Sequence, residues 1–275
     1  MTFGVEHASV RFGAVTALRD VSVAVPGSQV TAVVGGDGAG KTTLLRALVG
    51  EVALDSGMVT APEPRRIGYL PATAGSWAEL SVQENVDFVG SSFGLSRATV
   101  ADRAERLLSR SGLDSARSRL ARDLSGGMRR KLGFCLAMLA EPALLVLDEP
   151  STGVDPVSRV DLWRLVSDAA AKGTAVLMST TYLDEAERCA SIVVLSEGDV
   201  LVAGTPEESL RMLDGVIRAV TTPTHAERAW RRGREYREWW PAGETPAEGG
   251  APAVLTLEDV VIASTIARGL PQVQG

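Results

Sequence analysis

An α/β fold built on a mostly parallel sheet is predicted by three observations. Short apolar runs rich in β-branched residues recur along the chain, helical patterns alternate with them, and a glycine-rich turn joins the first such pair. Val21 to Val25, closed by Pro26-Gly27, reads as a strand and turn. Gln29 to Val34 reads as a buried strand bounded by glycines, and Lys41 to Val49 as a helix with Leu44, Leu45 and Leu48 on one face. Leu144 to Leu147 and Thr174 to Ser179 are further buried strands, with a helix from about Val157 to Ala171 between them. Ile192 to Leu195 and Asp199 to Val202, joined at Glu197-Gly198, read as a closing hairpin.

Two regions depart from this alternation. Residues of about 73–138 are read as a helical subdomain inserted into the core: the pattern is mainly helical from Ser81 to Met138, with an amphipathic segment at Ala101 to Ser111 stopped by Gly112. Past Leu213 the composition shifts, and residues 214–275 are expected to form a small C-terminal accessory α+β domain, leaving 1–213 as the main domain. In that tail, Arg228, Arg231, Arg232, Arg234 and Arg237 interleave with Glu227, Glu235 and Glu238, which reads as a solvated, salt-bridged helix. Contact with anionic lipid or another subunit is the alternative. Trp239-Trp240 is expected to pack the accessory domain onto the core. Residues 241–252, rich in Pro, Gly, Ala and Glu, read as a flexible loop, and Leu255 to Ala267 as a final helix.

Bulk composition narrows the function. At 275 residues the chain can bury a substantial core, and 45% hydrophobic with 23% charged residues is ordinary for a soluble globular protein. A net charge of −6 lends no support to general nucleic-acid binding, so no nucleic-acid partner is expected. The two cysteines, Cys135 and Cys189, lie in apolar stretches and read as buried free thiols, suited to a reducing cytoplasm. No charged-then-apolar leader opens the sequence, so secretion is not indicated. The apolar stretch from Phe134 to Leu147 is broken by Glu141-Pro142 and is too short to span a bilayer. Any work at a membrane is therefore expected of a peripheral subunit. No His/Cys cluster has metal-ligand spacing.

The chemistry concentrates in two motifs. Gly35-Gly36-Asp37-Gly38-Ala39-Gly40-Lys41-Thr42 fits G-x-x-x-x-G-K-[ST] and lies between a predicted strand and helix, the context that gives the motif meaning. Glycines let the backbone wrap phosphate oxygens, and a helix N-terminus that includes Thr43 stands behind them. Lys41 is expected to reach the β- and γ-phosphates of ATP, and the Thr42 hydroxyl to ligate Mg²⁺. The second motif, Leu144 to Leu147 followed by Asp148-Glu149, is a buried strand ending in two carboxylates. It puts Asp148 near the metal and Glu149 where it can polarise an attacking water. The fold class is thus an α/β P-loop NTPase core with flanking helices and an antiparallel β portion.

Leu124-Ser125-Gly126-Gly127-Met128-Arg129 precedes that strand, and in this order the motifs resemble those of ABC-type ATPases over about residues 3–210. Ser151-Thr152-Gly153-Val154-Asp155-Pro156 looks like the family's D-loop. Finer stretches (Asp37-Gly-Ala-Gly, Ser81-Val-Gln-Glu-Asn85, Gly153 to Arg159, Thr181 to Arg188) resemble its drug-export branch, of the daunorubicin-resistance type. The resemblance implies an ATPase motor subunit, peripheral to the membrane, that drives separate permease subunits through the helical insert. It also implies a second ATPase subunit whose ATP meets Ser125, Gly126 and Gly127 of this chain, and a Phe12 ring stacked on adenine. A core aromatic near a strand end is the other reading of Phe12.

Two positions depart from the family pattern. After Ile67-Gly68-Tyr69-Leu70-Pro71 the family places a glutamine that binds Mg²⁺ and water; here the residue is Ala72. After Ser179-Thr180 it places a histidine that contacts the γ-phosphate; here stands Thr181, and the only histidines are His7 and His225. Glu149 is retained. These substitutions predict slow hydrolysis at the chain's own site and an asymmetric pair with a different ATPase. The competing expectations are an ordinary homodimeric ATPase, a soluble ABC-type ATPase acting on ribosomes or nucleic acid, a regulatory nucleotide-binding pseudo-ATPase, and an import motor.

Overall fold

The computed structural model describes residues 1–73, 75–246 and 250–269. In chain order its elements are β1 (Thr2–Phe12), β2 (Val15–Pro26), β3 (Val30–Val34), α1 (Lys41–Leu48), β4 (Ser56–Thr60) and β5 (Ile67–Leu70). Then come α2 (Val82–Ser92), α3 (Arg97–Ser111), α4 (Gly126–Met138), β6 (Leu144–Leu147), α5 (Pro156–Ala171), β7 (Ala175–Thr180) and α6 (Leu183–Ala186). The chain finishes with β8 (Ser191–Ser196), β9 (Asp199–Gly204), α7 (Pro206–Arg211), β10 (Val216–Val220), β11 (Ala229–Arg232), β12 (Glu235–Trp240), β13 (Ala251–Pro252) and α8 (Leu257–Gly269).

Six strands form the central sheet in the order β5-β6-β7-β3-β8-β9. All neighbours pair parallel except β8 with β9, the hairpin expected from Glu197-Gly198. Strands β3 and β6 are buried along their whole length, which explains their unbroken apolar sequences: both faces of the sheet are covered. Alternate side chains go to opposite layers. Ala32, Val34, Leu145, Leu147, Val176 and Met178 pack with Leu162 and Val166 of α5. Val33, Leu144, Val146 and Leu177 pack with Leu44, Leu45 and Leu48 of α1 and with the antiparallel sheet β2-β1-β4.

Parallel pairing has one consequence for function. Val34 stands opposite Thr180, Leu147 opposite Met178, and Leu70 opposite Leu147. The segments after β3, β5, β6 and β7 therefore leave the sheet along the same edge, where ligands of open α/β sheets bind.

Helices α2, α3 and α4 share a separate core that includes Val86, Ala104, Leu108, Leu132, Cys135 and Leu136. Ser81 opens α2 with a capping box: its Oγ accepts from the Glu84 N–H at 3.2 Å, and Glu84 Oε2 accepts from the Ser81 N–H at 2.8 Å. Gly112, at φ 71°, ends α3 in the left-handed conformation. Cys135 and Cys189 are free and buried, and burial pushes both thiols up to about 12, so neither is primed as a nucleophile. Among the described residues no helix is long and apolar enough to cross a membrane.

The C-terminal region corrects the sequence in three places. The arginine-rich segment read as a helix is a β-hairpin, β11 and β12, turned at Gly233 (φ 63°) and Arg234. The physical reason is period two: Tyr236, Glu238 and Trp240 line one face while Arg237 and Trp239 line the other. Glu238 is buried rather than solvated and accepts from the His225 N–H at 2.6 Å; Arg228 and Arg232 pair instead with Glu244 and Asp259. Trp239 packs within the tail's own cluster, with Ile217 and Ala263, and Trp240 stacks edge-on against His225. Part of the expected flexible loop is strand β13, paired to β10; residues 247–249 of that loop lie outside the described residues.

Helix α8 then returns to the main body, where Leu257 and Val260 join the α5-side core. Leu257→Ala is expected to cost about 2–5 kcal/mol of stability in denaturant unfolding, the range for emptying a buried leucine site. A fully dispensable tail would show no change.

Candidate functional site

The glycine-rich loop begins where β3 ends and closes into α1. At Gly35 a Cβ would lie 2.5 Å from the Leu195 carbonyl oxygen, so the β8 backbone leaves no room for a side chain. Gly40 has φ 106°, and a Cβ there would lie 2.5 Å from the Ala17 carbonyl oxygen. Gly36 and Gly38 face open space, and Asp37 between them is exposed. Ala39 is buried beneath the loop, and its carbonyl accepts from the Gly198 N–H. Gly40 caps α1 without any side-chain hydrogen bond, so the first-turn N–H groups, including those of Thr42 and Thr43, stay directed at the loop.

Lys41 is 5% exposed, and its Nζ donates to the carbonyls of Gly35 (2.8 Å) and Gly36 (3.1 Å). The same Nζ pairs with Glu149 Oε1 at 3.1 Å, across the width of β7. One ammonium thus links the loop to Glu149, which follows β6.

Asp148 is fully buried. Its Oδ1 accepts from the Ser179 hydroxyl at 2.6 Å, and the Ser179 oxygen accepts the Glu149 N–H at 2.8 Å. Its Oδ2 is buried with no hydrogen-bond partner among the described residues. A buried carboxylate oxygen left unpaired is costly unless a cation completes it. The donor set of Asp148 and the Thr42 hydroxyl, both oxygen, suits Mg²⁺. Glu149 has φ 47°, a left-handed conformation that bulky residues avoid, and its Oε2 accepts from Thr152 Oγ1 at 3.1 Å.

The other expected residues take distinct places. Phe12 is 54% exposed at the tip of the β1–β2 hairpin, paired with exposed Val15, so it is not a core aromatic. Ser125 caps α4, accepting from the Met128 N–H at 3.2 Å. Gly126 and Gly127 lie against the segment after Glu149: a Cβ on Gly127 would lie 2.6 Å from Ser158 Oγ. Ala72 and Thr181 are exposed where β5 and β7 leave the sheet.

Sequence reading missed three contributors. Ser179 ties the Asp148 carboxylate to the Glu149 backbone N–H; its signal was a small hydroxyl at a buried strand end. Buried Glu185 accepts from Ser151 Oγ (2.9 Å), Thr180 Oγ1 (2.7 Å) and Arg159 Nε (3.2 Å), joining the loop after Glu149 to the end of β7. Burial works against the Arg159 charge, but the carboxylates of Glu185 and Asp184 outweigh it and raise its pKa. The Arg159 guanidinium also lies 4.1 Å over the Tyr182 ring. The third contributor is Arg130, which donates to the backbone around Ala72.

Phosphate loop, lysine and paired carboxylates meet at one edge of a parallel sheet, as they do in P-loop nucleotide-binding proteins, and the chain is of that class. Within it, the chain belongs to the ATP-binding family of ABC transporters. The family model described as ABC transporter matches residues 18–152. The chain is 36% identical over 208 residues to the Nod factor export ATP-binding protein I of Cupriavidus metallidurans, covering 72% of this chain and 69% of that protein. It is 36% identical over 228 residues to the daunorubicin resistance ATP-binding protein DrrA2 of Streptomyces coeruleorubidus, covering 79% and 71%. A match of 36% over 222 residues to the probable multidrug ABC transporter ATP-binding protein YbhF of Escherichia coli covers 77% of this chain but 38% of that relative's length. Among solved structures, an ATP-binding subunit of an ABC transporter superposes with TM-score 0.71 at 30% identity, covering 77% of this chain and 92% of that one. An ATP-binding cassette in its ADP conformation does so with TM-score 0.66 at 26% identity, covering 76% and 92%.

Ser179→Ala removes one partner from two buried groups, the Asp148 carboxylate and the Glu149 N–H. Chemical denaturation is expected to show a loss of about 1–3 kcal/mol, the penalty for orphaned buried polar groups.

Proposed function

We propose that this chain binds MgATP at the edge described above and is the motor subunit of an ABC exporter. In this proposal it works with separate permease subunits at the cytoplasmic face of the membrane and is the catalytically weakened member of an asymmetric ATPase pair. One observation carries the proposal. The strands flanking the Asp148-Glu149 strand end at the same edge as the phosphate loop, and just past their ends stand Ala72 and Thr181, both exposed. In this reading the groups that hold phosphate and metal are all present, while two groups that would position the attacking water or the γ-phosphate are replaced.

Each residue then has a role. The loop from Gly35 to Gly40 and the α1 amides of Lys41, Thr42 and Thr43 hold the phosphates, with Asp37 and Ala39 shaping the loop. Lys41 exchanges its pairing with Glu149 for phosphate oxygens. Thr42 and Asp148 hold Mg²⁺, which when bound neutralises phosphate charge. Glu149 orients and polarises water, and Phe12, exposed at the tip of the β1–β2 hairpin, stacks on adenine. Ser125, Gly126 and Gly127 serve ATP held by the second ATPase subunit. Loss of a positioned acid–base or electrostatic group typically slows a reaction by about 10²–10⁴.

We also propose a division of the chain into an ATP-binding domain, 1–213, carrying the helical insert of about 73–138, and an accessory domain, 214–275. On the insert, Trp77 and Phe88 stack edge-on at 4.5 Å with both rings about half exposed. Exposed paired aromatics suit an amphipathic permease segment. Trp77→Ala is expected to reduce co-purification with the permease while leaving nucleotide binding intact.

An ordinary homodimeric ATPase is the second reading, favoured by the intact Lys41–Glu149–Asp148 constellation. Steady-state turnover in the assembled complex separates the two. With a weakened site, Glu149→Gln leaves total turnover nearly unchanged. A near-complete loss of turnover would sink the asymmetric pair and leave the homodimer.

A further inference from the structure

The loop that carries Ala72 is fastened from two sides. On one side, the Asp148 N–H donates to the Leu70 carbonyl at 2.8 Å, so the strand end moves with the metal-binding carboxylate. On the other, Arg130 of α4 reaches three successive carbonyls: Nη1 donates to Pro71 (3.0 Å) and Thr73 (2.6 Å), and Nη2 to Ala72. The same helix comes close below: a Cβ on Gly75 would lie 3.7 Å from the Gly133 Cα.

These bonds bear on the substitution at 72. A side chain able to reach Mg²⁺ would fasten this loop only when MgATP is bound. Alanine cannot do so, and the loop is instead held through its backbone by a residue five positions beyond Ser125 in the same cap-and-helix unit. Arg130 suits the task because a guanidinium offers several donors in a fixed fork and can span neighbouring carbonyls, whereas an ammonium acts as a point charge. Burial depresses the Arg130 pKa, and the negative charges of Asp148 and Glu149 act in the opposite direction. The guanidinium therefore feels both carboxylates of the candidate site.

We infer that Arg130 is a positioning residue that clamps the 71–73 loop to α4, the helix that Ser125 caps, whether or not nucleotide is bound, replacing a nucleotide-dependent tether with a permanent one. In this chain the loop and the helical insert then move as one body, and Ser125 and Asp148 are linked through Leu70 to Thr73 without passing through the metal. The inference rests on the proposed MgATP site but not on its turnover.

The test uses the purified full chain and two readouts, equilibrium binding of a fluorescent MgATP analogue and amide hydrogen exchange over residues 75–80. In the unsubstituted chain, exchange at the bonded amides of Trp77 and Leu80 should be nearly the same with and without MgATP. Arg130→Ala should raise exchange in that segment about tenfold or more, because bonds from a charged donor are lost. Analogue affinity should stay within about twofold, since Arg130 acts on the loop and not on phosphate. Arg130→Lys should recover less than half of the protection. Adding Ala72→Gln to Arg130→Ala should make protection depend on MgATP.

Unchanged exchange in both Arg130 variants, with unfolding midpoints as in the parent chain, would overturn the clamp. So would an affinity loss of about tenfold or more, which would make Arg130 a direct phosphate ligand. Brisk turnover by the unsubstituted chain would count against the weakened site alone and would leave the exchange result standing.

Discussion

Everything at the site depends on the parallel registration of β5, β6, β7 and β3. Because these strands run the same way and stop nearly level, four loops distant in sequence reach one line in space. The cost is a sheet buried on both faces, met by α5 on one side and by α1 with the antiparallel sheet on the other. A one-residue slip of β6 would move Asp148 off this edge and turn its buried leucines to the wrong layers.

Along that edge, polar groups are organised by a few shared partners. Ser179 serves both carboxylate positions, Glu185 collects two hydroxyls and a guanidinium, and Lys41 joins the phosphate loop to Glu149. Buried ionic networks of this kind add little net stability against an apolar core, but removing one member is costly because its partners stay buried and unpaired. They therefore specify one arrangement rather than strengthen the fold. Glu149, in its left-handed backbone conformation, sits where this specification is tightest.

Arg130 and the Glu185 network show a division of labour around the two altered positions. Ala72 and Thr181 have shorter side chains than the glutamine and histidine of the family pattern. Yet the backbone at 71–73 is held by Arg130, and the end of β7 is held by Glu185 through Thr180. The loops keep defined positions through contacts other than those two side chains.

Much of the core was legible from local pattern. A strand, a glycine-rich turn and a helix are contiguous, so residues 30–48 carry their own meaning, and the apolar runs of β6, β7 and β8 are long enough to read without partners. Helices α2, α3 and α4 were equally plain, because their caps and periodicity are short-range. The tail was misread because interleaved Arg and Glu suit a solvated helix as well as a strand; the period-two pairing of β11, β12 and β10, with Glu238 buried beside His225, decided between them.

Sequence alone determined the identity of the phosphate loop, the paired carboxylates and the two substituted positions, because each is a matter of which residues stand next to which. Only the tertiary structure decided which groups those residues meet. The Lys41–Glu149 pair, the Ser179 bridge and the Arg130 clamp join residues that the chain separates by 30 positions or more, and such contacts exist only once the sheet has set its register.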